Sequence, residues 1–372
     1  MKTVRMLGTR GVPAAHGGFE TAADHVSRYL VDRGWRVVVY CQVEGDGLPR
    51  TDMWEGVERV VVPTKRGGAL GTAEFDARAT RHAVKHAAEQ DEICLVFGYN
   101  TAFLNLRQRI RRIPFVMNMD GIEYVRAKWS PLHKAVLWTN EWIGAKSATH
   151  LIADHPEIAT HLATRTSSDR ITTIAYGAPL VTEASPTIPE SFGLEPGRYL
   201  TVIARPEPEN SLLEIVSGFS RRPRGVRLAV LGAYSPETTR YQAQVLAAAG
   251  DEVSFLGPQY EPEIVQALRF HSSGYVHGHT VGGTNPSLVE ALGCGNPVLA
   301  HDNKYNRWVA GDAARYFSSA DTFDTLLCEF LDDTGERQSM AASARARHAE
   351  AFTWERVGAQ YEQLLAQFVT TE

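Results

Sequence analysis

VHGHTVGGTNPSLVEALGCGNPVLAHD, residues 276–302, reads as a strand that runs into a glycine loop, a short helix and a second strand. The first apolar run ends at small polar residues. Pro286 suits the first helical position, Thr284 or Asn285 suits the cap, and Gly295 ends the helix. A loop that feeds a helix start presents unpaired backbone N–H groups and a positive dipole end, the elements of an anion seat. Leu288 and Leu292 fall on the buried face of this helix. Glu290 lies on another face, where it is either a solvated carboxylate or a contact for a sugar hydroxyl.

The same alternation extends in both directions. Upstream come YLTVIA, the helix SLLEIVSGF, RLAVLG, a helix over 236–249, EVSFLG and a helix over 261–270. Nearer the start, TVRML is followed by the glycine loop GTRGVPAAHGG, a helix carrying Phe19, Ala22, Ala23, Val26 and Leu30, and the strand RVVVYC. The pattern continues through VERVVV, a helix over 72–90, ICLVF, a helix over 101–111, PFVMNM, a tryptophan-bearing segment over 129–147, THLIAD and ITTIAYGA. Two runs of alternating strands and helices predict an α/β chain with two Rossmann-like, doubly wound domains, whose ligands sit beyond the carboxyl ends of the strands in a cleft that the domains face. The expected boundaries are 1–178 for the first domain and 179–352 for the second. Residues 179–197, rich in Pro, Ser, Thr and Glu, read as the linker. The amphipathic helix over 353–368 opens a C-terminal segment, 353–372, that packs either on its own domain or back on the first.

Bulk properties narrow the function. The 372 residues carry a net charge of −5 with a pI near 6.2, which argues against nucleic acid as the main partner. Four scattered cysteines without metal spacing suit a reducing, cytoplasmic setting. The start MKTVRMLGTRG is too poor in apolar residues for a signal peptide, and no apolar run reaches the length of a membrane span.

Four stretches carry candidate chemistry. In the first loop, Gly11, Gly17 and Gly18 suit a phosphate. The spacing is not GxGxxG, however, and VVVYCQ ends at Gln42 without the acid of a dinucleotide site. In the second, Gly283, Thr284, Asn285, Ser287 and Leu288 offer the helix-start N–H groups beside Glu290. In IARPEPEN, Arg205 either reaches a diphosphate or pairs with Glu207 or Glu209. In NMDGIEYVRAKWS, Asp120, Glu123, Arg126, Lys128 and Trp129 either orient an acceptor hydroxyl or form a salt-bridged loop. Trp138 and Trp142, four apart, favour core packing, although with RQRIRR (107–112) and Lys134 the same region suits an anionic membrane surface. His277 and His279 do not make a metal site, no DxD follows a strand, and no GxSxG supports a hydrolase. Neither metal nor cofactor is expected.

These residues resemble a known family. GGTNPSLVEALGCGNPVLAHD is similar to the C-terminal signature of retaining, two-domain GT-B glycosyltransferases of the large family-four group, IARPEPEN to its phosphate-binding arginine segment, and ITTIAYGAP to its hinge loop. GTRGVPAAHGGFET together with DGIEYVRAKWS and GGTNPSLVEA resembles the bacterial rhamnosyltransferase-type branch, which builds surface glycans. The resemblance spans nearly the whole chain. It implies a nucleotide diphosphate-sugar donor, with dTDP-L-rhamnose the best guess, and a saccharide acceptor, lipid-linked at the inner membrane face. Arg205 would neutralise the departing diphosphate, helped by the Gly17–Gly18 loop. Glu290 would bind the pentose, Tyr260 would wall the base, and the acceptor would dock near Asp120 to Trp129. The protein would be cytoplasmic, with peripheral membrane contact open. Two positions depart from the broad family: Gly282 stands where a second carboxylate is usual, and Asn210 where a lysine is usual. They leave two other readings, a sugar-nucleotide epimerase on the same architecture and a silent sugar-nucleotide-binding partner.

Overall fold

A computed structural model describes all residues except 16, 88–90, 127–128, 236 and 370–372. The chain forms two compact units: Met1–Tyr176 with Trp354–Glu372, and Gly177–Thr353.

In the first unit the strands are β1 (Thr3–Leu7), β2 (Arg36–Glu44), β3 (Arg50–Trp54), β4 (Val57–Thr64), β5 (Glu92–Phe97), β6 (Phe115–Asn118), β7 (His150–Ala153) and β8 (Ile171–Thr173). They lie in the order β3-β4-β2-β1-β5-β6-β7-β8, all parallel except β3, which pairs antiparallel with β4. Central strands are covered on both faces by helices, so β1 and β5 are buried throughout and largely apolar, the charged exceptions Arg5 and Glu92 being paired with each other. The chain leaves β1 for β2 on one side and returns to β5 on the other. The switch point therefore lies between the carboxyl ends of β1 and β5.

The helix Trp354–Ala366 docks on this first unit. Val357, Tyr361, Leu364 and Leu365 join Val26 and Leu30 of the helix Gly18–Asp32 in one core. Each such buried side chain contributes roughly 1.5–3 kcal/mol. The contact is pinned by polar groups as well: the Tyr361 hydroxyl accepts from Asn118 Nδ2 at 2.9 Å, and the His25 ring stacks on Trp354 at 4.3 Å.

In the second unit β9 (Tyr199–Ile203), β10 (Arg227–Leu231), β11 (Val253–Gly257), β12 (Gly274–His277), β13 (Val298–His301) and β14 (Ala314–Phe317) are all parallel, in the order β11-β10-β9-β12-β13-β14. Here the switch point falls between β9 and β12. The stretch 179–197 is built into this unit: Val181 N–H donates to Gly293 O, Thr187–Ser191 is helical, and Leu194 is buried beside Tyr199.

Candidate functional site

The switch point of the second unit is bounded by two loops. One follows β9 and carries Arg205, and the other follows β12 and leads into the helix Pro286–Gly293. The loops are tied together. Thr280 donates to Glu209 O through both its N–H, at 2.9 Å, and its hydroxyl, at 3.0 Å. Asn210 sits 7% exposed between them. Its Nδ2 donates to Arg205 O at 2.8 Å, which fixes the amide so that its Oδ1 accepts from His279 Nδ1 at 2.6 Å. The residue standing at the usual lysine position therefore supplies no charge. It shapes the arginine loop and sets the His279 tautomer.

Arg205 is left accessible by this arrangement. Its side chain is 63% exposed, and its nearest carboxylate, Glu207, is 3.9 Å away. A pair at that separation and exposure is weak.

The helix start is narrower as an anion seat than the sequence suggests. Asn285 is the cap: its Oδ1 accepts from Ser287 N–H at 3.0 Å, while its carbonyl accepts from Leu288 and Val289. Pro286 has no N–H. The N–H groups of Ser287 and Leu288 are thus committed inside the helix, and Leu288 is fully buried. Neither N–H group is therefore open to an anion at the helix start.

Glu290 is held by a residue that the sequence did not single out. Arg269, at the end of the helix Pro262–Phe270, is 3% exposed. Its guanidinium reaches Glu290 Oε2 at 2.5 Å and donates to Ser287 Oγ at 2.9 Å. Burial is the largest influence and works against the Arg269 charge, but the Glu290 carboxylate together with Tyr275 and Cys294 outweighs it and raises the pKa above the ordinary value. An arginine in a helix's last turn ordinarily reads as a surface cation facing the dipole. Only the fold brings it beneath a carboxylate 21 residues away.

Gly282 has φ 114°, a conformation that side chains rarely adopt, and a Cβ there would lie 3.3 Å from His279 Nε2. A carboxylate is sterically disfavoured at this position, and an imidazole occupies the adjacent space. His277, two residues before His279 at the end of β12, is buried with its Nε2 unpartnered, and burial holds its pKa well below the usual value. It is a neutral core group. Tyr260 lies after β11, two strands from the switch point, and is 68% exposed.

In the first unit the glycine loop lies at the switch point but is filled by its own carboxylates. Glu20 Oε1 accepts from Arg10 N–H at 3.0 Å, and Asp24 Oδ2 accepts from Ala14 N–H at 2.9 Å. A Cβ on Gly17 would meet Glu20 Oε2 at 2.2 Å. Gly18 opens the helix that bears both acids. Gly11 owes its identity to packing, since a Cβ there would lie 2.8 Å or less from three atoms of Cys41. A phosphate at this loop would have to displace Glu20, so the helix start is less receptive than its glycines suggest.

The loop after β6 holds a charged knot around Glu123. Glu123 is spent: Arg126 Nε reaches Oε1 at 2.9 Å, Trp129 Nε1 donates to Oε2 at 3.3 Å, and the Glu123 N–H donates to the buried Tyr99 hydroxyl at 2.8 Å. These residues form the salt-bridged alternative. Asp120 is half-buried in a left-handed backbone conformation (φ 57°) just past the strand's carboxyl end, its N–H bonded to Asn118 Oδ1. Lys128 lies outside the described residues. Among the described residues, no group of three or more His, Cys, Asp or Glu is placed to hold a metal ion.

Residues 1–179 match a family model described as a domain of unknown function (DUF1972), and residues 205–363 match one described as glycosyl transferase-like. A comparison with curated protein sequences finds no match. Among solved structures, sucrose-phosphate synthase from Thermosynechococcus elongatus is similar with a TM-score of 0.81 at 15% identity over 99% of both chains. Anabaena HepE in complex with UDP-glucose gives 0.76 at 15% identity, over 99% of this chain and 100% of that one. A trehalose-6-phosphate protein from E. coli bound with UDP-2-fluoro glucose gives 0.76 at 11% identity over 99% of both chains. At these identities the structural likeness is one of fold. Taken with the match over 205–363 and the two doubly wound sheets, it leads to one conclusion: the chain is a glycosyltransferase of GT-B architecture.

Proposed function

We propose that this glycosyltransferase takes a nucleoside diphosphate-sugar on its second unit and moves the sugar, with its anomeric configuration kept, onto a saccharide acceptor. The proposed donor is dTDP-L-rhamnose and the proposed acceptor a lipid-linked saccharide of bacterial surface-glycan synthesis. The observation that carries the donor assignment is the switch point between β9 and β12, where an accessible Arg205, the backbone at 283–285 and an anchored Glu290 come from two adjacent loops and one helix. Structures of the same fold hold UDP-glucose and UDP-2-fluoro glucose, which favours this donor class. The combination of GTRGVPAAHGGFET, DGIEYVRAKWS and GGTNPSLVEA favours rhamnose.

In this reading Arg205 and the backbone N–H groups neutralise the diphosphate as the bond from the sugar's anomeric carbon to the phosphate oxygen breaks. Glu290, held by Arg269, accepts from the pentose hydroxyls through its remaining lone pairs. His279 takes over the sugar grip that a carboxylate at 282 would supply, its ring oriented by the Nδ1 hydrogen bond to Asn210 Oδ1. The acceptor is assigned to the first unit, where Asp120 orients the attacking hydroxyl. That hydroxyl's proton leaves with the departing phosphate oxygen. Because Asn210 and Gly282 have structural uses of their own, neither counts toward a silent partner.

The test is turnover across dTDP-, UDP- and GDP-sugars, with the anomer of the product read by NMR. A retained linkage from one donor class, with Arg205→Ala at least tenfold slower, is the expected result. Interconversion of the donor sugar without any acceptor, or binding with neither transfer nor hydrolysis for every donor, would overturn the proposal.

A further inference from the structure

The chain is acidic overall, at −5, yet residues 93–140 carry seven Arg and Lys against two Asp and Glu, a local net charge of +5. Four of those cations, Arg107, Arg109, Arg111 and Arg112, lie on the short helix Leu106–Ile110 and the turn after it. All four are exposed, and none has a carboxylate partner among the described residues, whereas Arg126 and Arg165 nearby are both paired. Clustered like charges with no counter-charge repel one another, so the fold leaves a cost here that an external anion would relieve.

The apolar surface beside them is just as uneven. Seven of the thirteen exposed large hydrophobics among the described residues fall between Phe103 and Trp138. Five of them, Leu132, Val136, Phe103, Leu106 and Ile110, follow one line. Leu132, Val136 and Asn140 are successive i, i+4 positions along the helix Pro131–Ser147. Asn140 Oδ1 accepts from Phe103 N–H at 3.1 Å, which sets Phe103 beside that row. From Phe103 the line continues through Leu106 to Ile110 at helical spacing. Ile110 is 77% exposed and Leu132 73%, and Trp138, which the sequence assigned to the core, is 47% exposed. One end of the stripe follows Trp129 and the loop after β6. The other ends at the arginines, where Arg109 and Arg112 line a recess with Ile113, Pro114, Phe115 and Thr149.

We infer that this face of the first unit is a docking surface for an anionic lipid bilayer. The apolar stripe enters the boundary between headgroups and acyl chains, and Arg107, Arg109, Arg111 and Arg112 bind the lipid phosphates. A soluble acidic protein would meet the charges but would leave Ile110 and Leu132 in water. A neutral apolar partner would leave four arginines unpaired. A bilayer carrying anionic headgroups satisfies both. No helix among the described residues is long and apolar enough to cross a membrane, so attachment rests on this surface. The inference does not depend on which sugar is transferred. It does place the loop 118–130 next to the bilayer, where a lipid-linked acceptor would be found.

The experiment is flotation of the full chain with vesicles of phosphatidylcholine alone and with about one third phosphatidylglycerol. The expected result is recovery with the anionic vesicles only, reversed by high salt. At about fivefold per cation, Arg109→Glu with Arg112→Glu lowers partitioning about thirtyfold or more. Ile110→Ser, with every arginine kept, lowers it severalfold. All these positions are exposed, so thermal melts of the variants should match the parent, and transfer to a water-soluble acceptor should be unchanged. Equal recovery with both vesicle types, or full retention by both variants, overturns the inference. Complete competition by millimolar inorganic phosphate also overturns it, because that identifies a soluble-anion site. Since neither assay needs turnover, failure here is distinguishable from failure of the transferase reading.

Discussion

Arg269→Met tests whether Glu290 is held from below. Arg269 and Glu290 have side-chain exposures of 4% and 29%. Removing one member of a buried ion pair costs about 3–5 kcal/mol, because the other charge stays desolvated. Glu290 is open enough to regain some water, which places the expected loss near the low end, about 3 kcal/mol. Loss of the hydrogen bond to Ser287 is part of the same figure. For a unit of this size that corresponds to a melting temperature lower by about 6–12 °C. The assay is calorimetric or urea unfolding of the parent, Arg269→Met, Glu290→Gln and the double variant. Glu290→Gln alone strands a buried guanidinium, so it too destabilises. The double variant leaves no unpaired charge and should recover about 2 kcal/mol or more relative to the sum of the singles. Additivity within about 0.5 kcal/mol, or an Arg269→Met protein as stable as the parent, would refute the coupling.

Three further outcomes follow from the geometry. Burial pushes the Asp76 carboxyl up to about 6 despite a hydrogen bond from Thr101, so at neutral pH the folded state carries a penalty of about 3 kcal/mol that is absent below the unfolded value of 3.8. Asp76→Asn should therefore melt higher than the parent at pH 7.5, with the gap closing toward pH 4; a gap independent of pH contradicts this. Asn210→Ala removes the side-chain bonds to Arg205 O and His279, leaves the Thr280–Glu209 bonds in place, and should weaken nucleotide binding about tenfold, read by calorimetry, while the first unit is unaffected. Gly282→Glu, which restores the family's usual carboxylate, should lower activity, because φ 114° and the His279 ring oppose it; a gain in turnover would show that the site lacks a carboxylate it can use.

Most of the fold was legible because parallel strands covered on both faces read as apolar runs, unbroken in ICLVF and interrupted in TVRML only by Thr3 and Arg5. The edge strand β3, RTDMW, was not, since it is largely exposed and has no such run. Nor was β14, whose four residues ARYF carry an exposed arginine. The candidate site was legible as motifs. Arg205 and the loop before Pro286 follow the carboxyl ends of β9 and β12, as the alternation implied, and Glu290 lies on the helix that this loop opens. What sequence could not give was the partner of each group. Glu20 fills its own glycine loop, Trp129 and Arg126 consume Glu123, and Asn285 takes the N–H of Ser287. Each pairing depends on how a turn closes. Arg269 was invisible for the opposite reason, because its partner lies on another helix. Trp138 was assigned to the core from spacing alone, which shows that two residues share a face but not which face is covered.

The central claim is that the nucleotide binds at the switch point of the second unit. Isothermal titration of dTDP and UDP into the parent, Arg205→Ala, Glu290→Gln and Glu20→Gln tests it most directly. The account predicts one preferred nucleotide, about tenfold or more weaker binding for Arg205→Ala and Glu290→Gln through loss of charge-assisted hydrogen bonds, and affinity for Glu20→Gln no weaker than the parent's. Undiminished binding by both second-unit variants would contradict it.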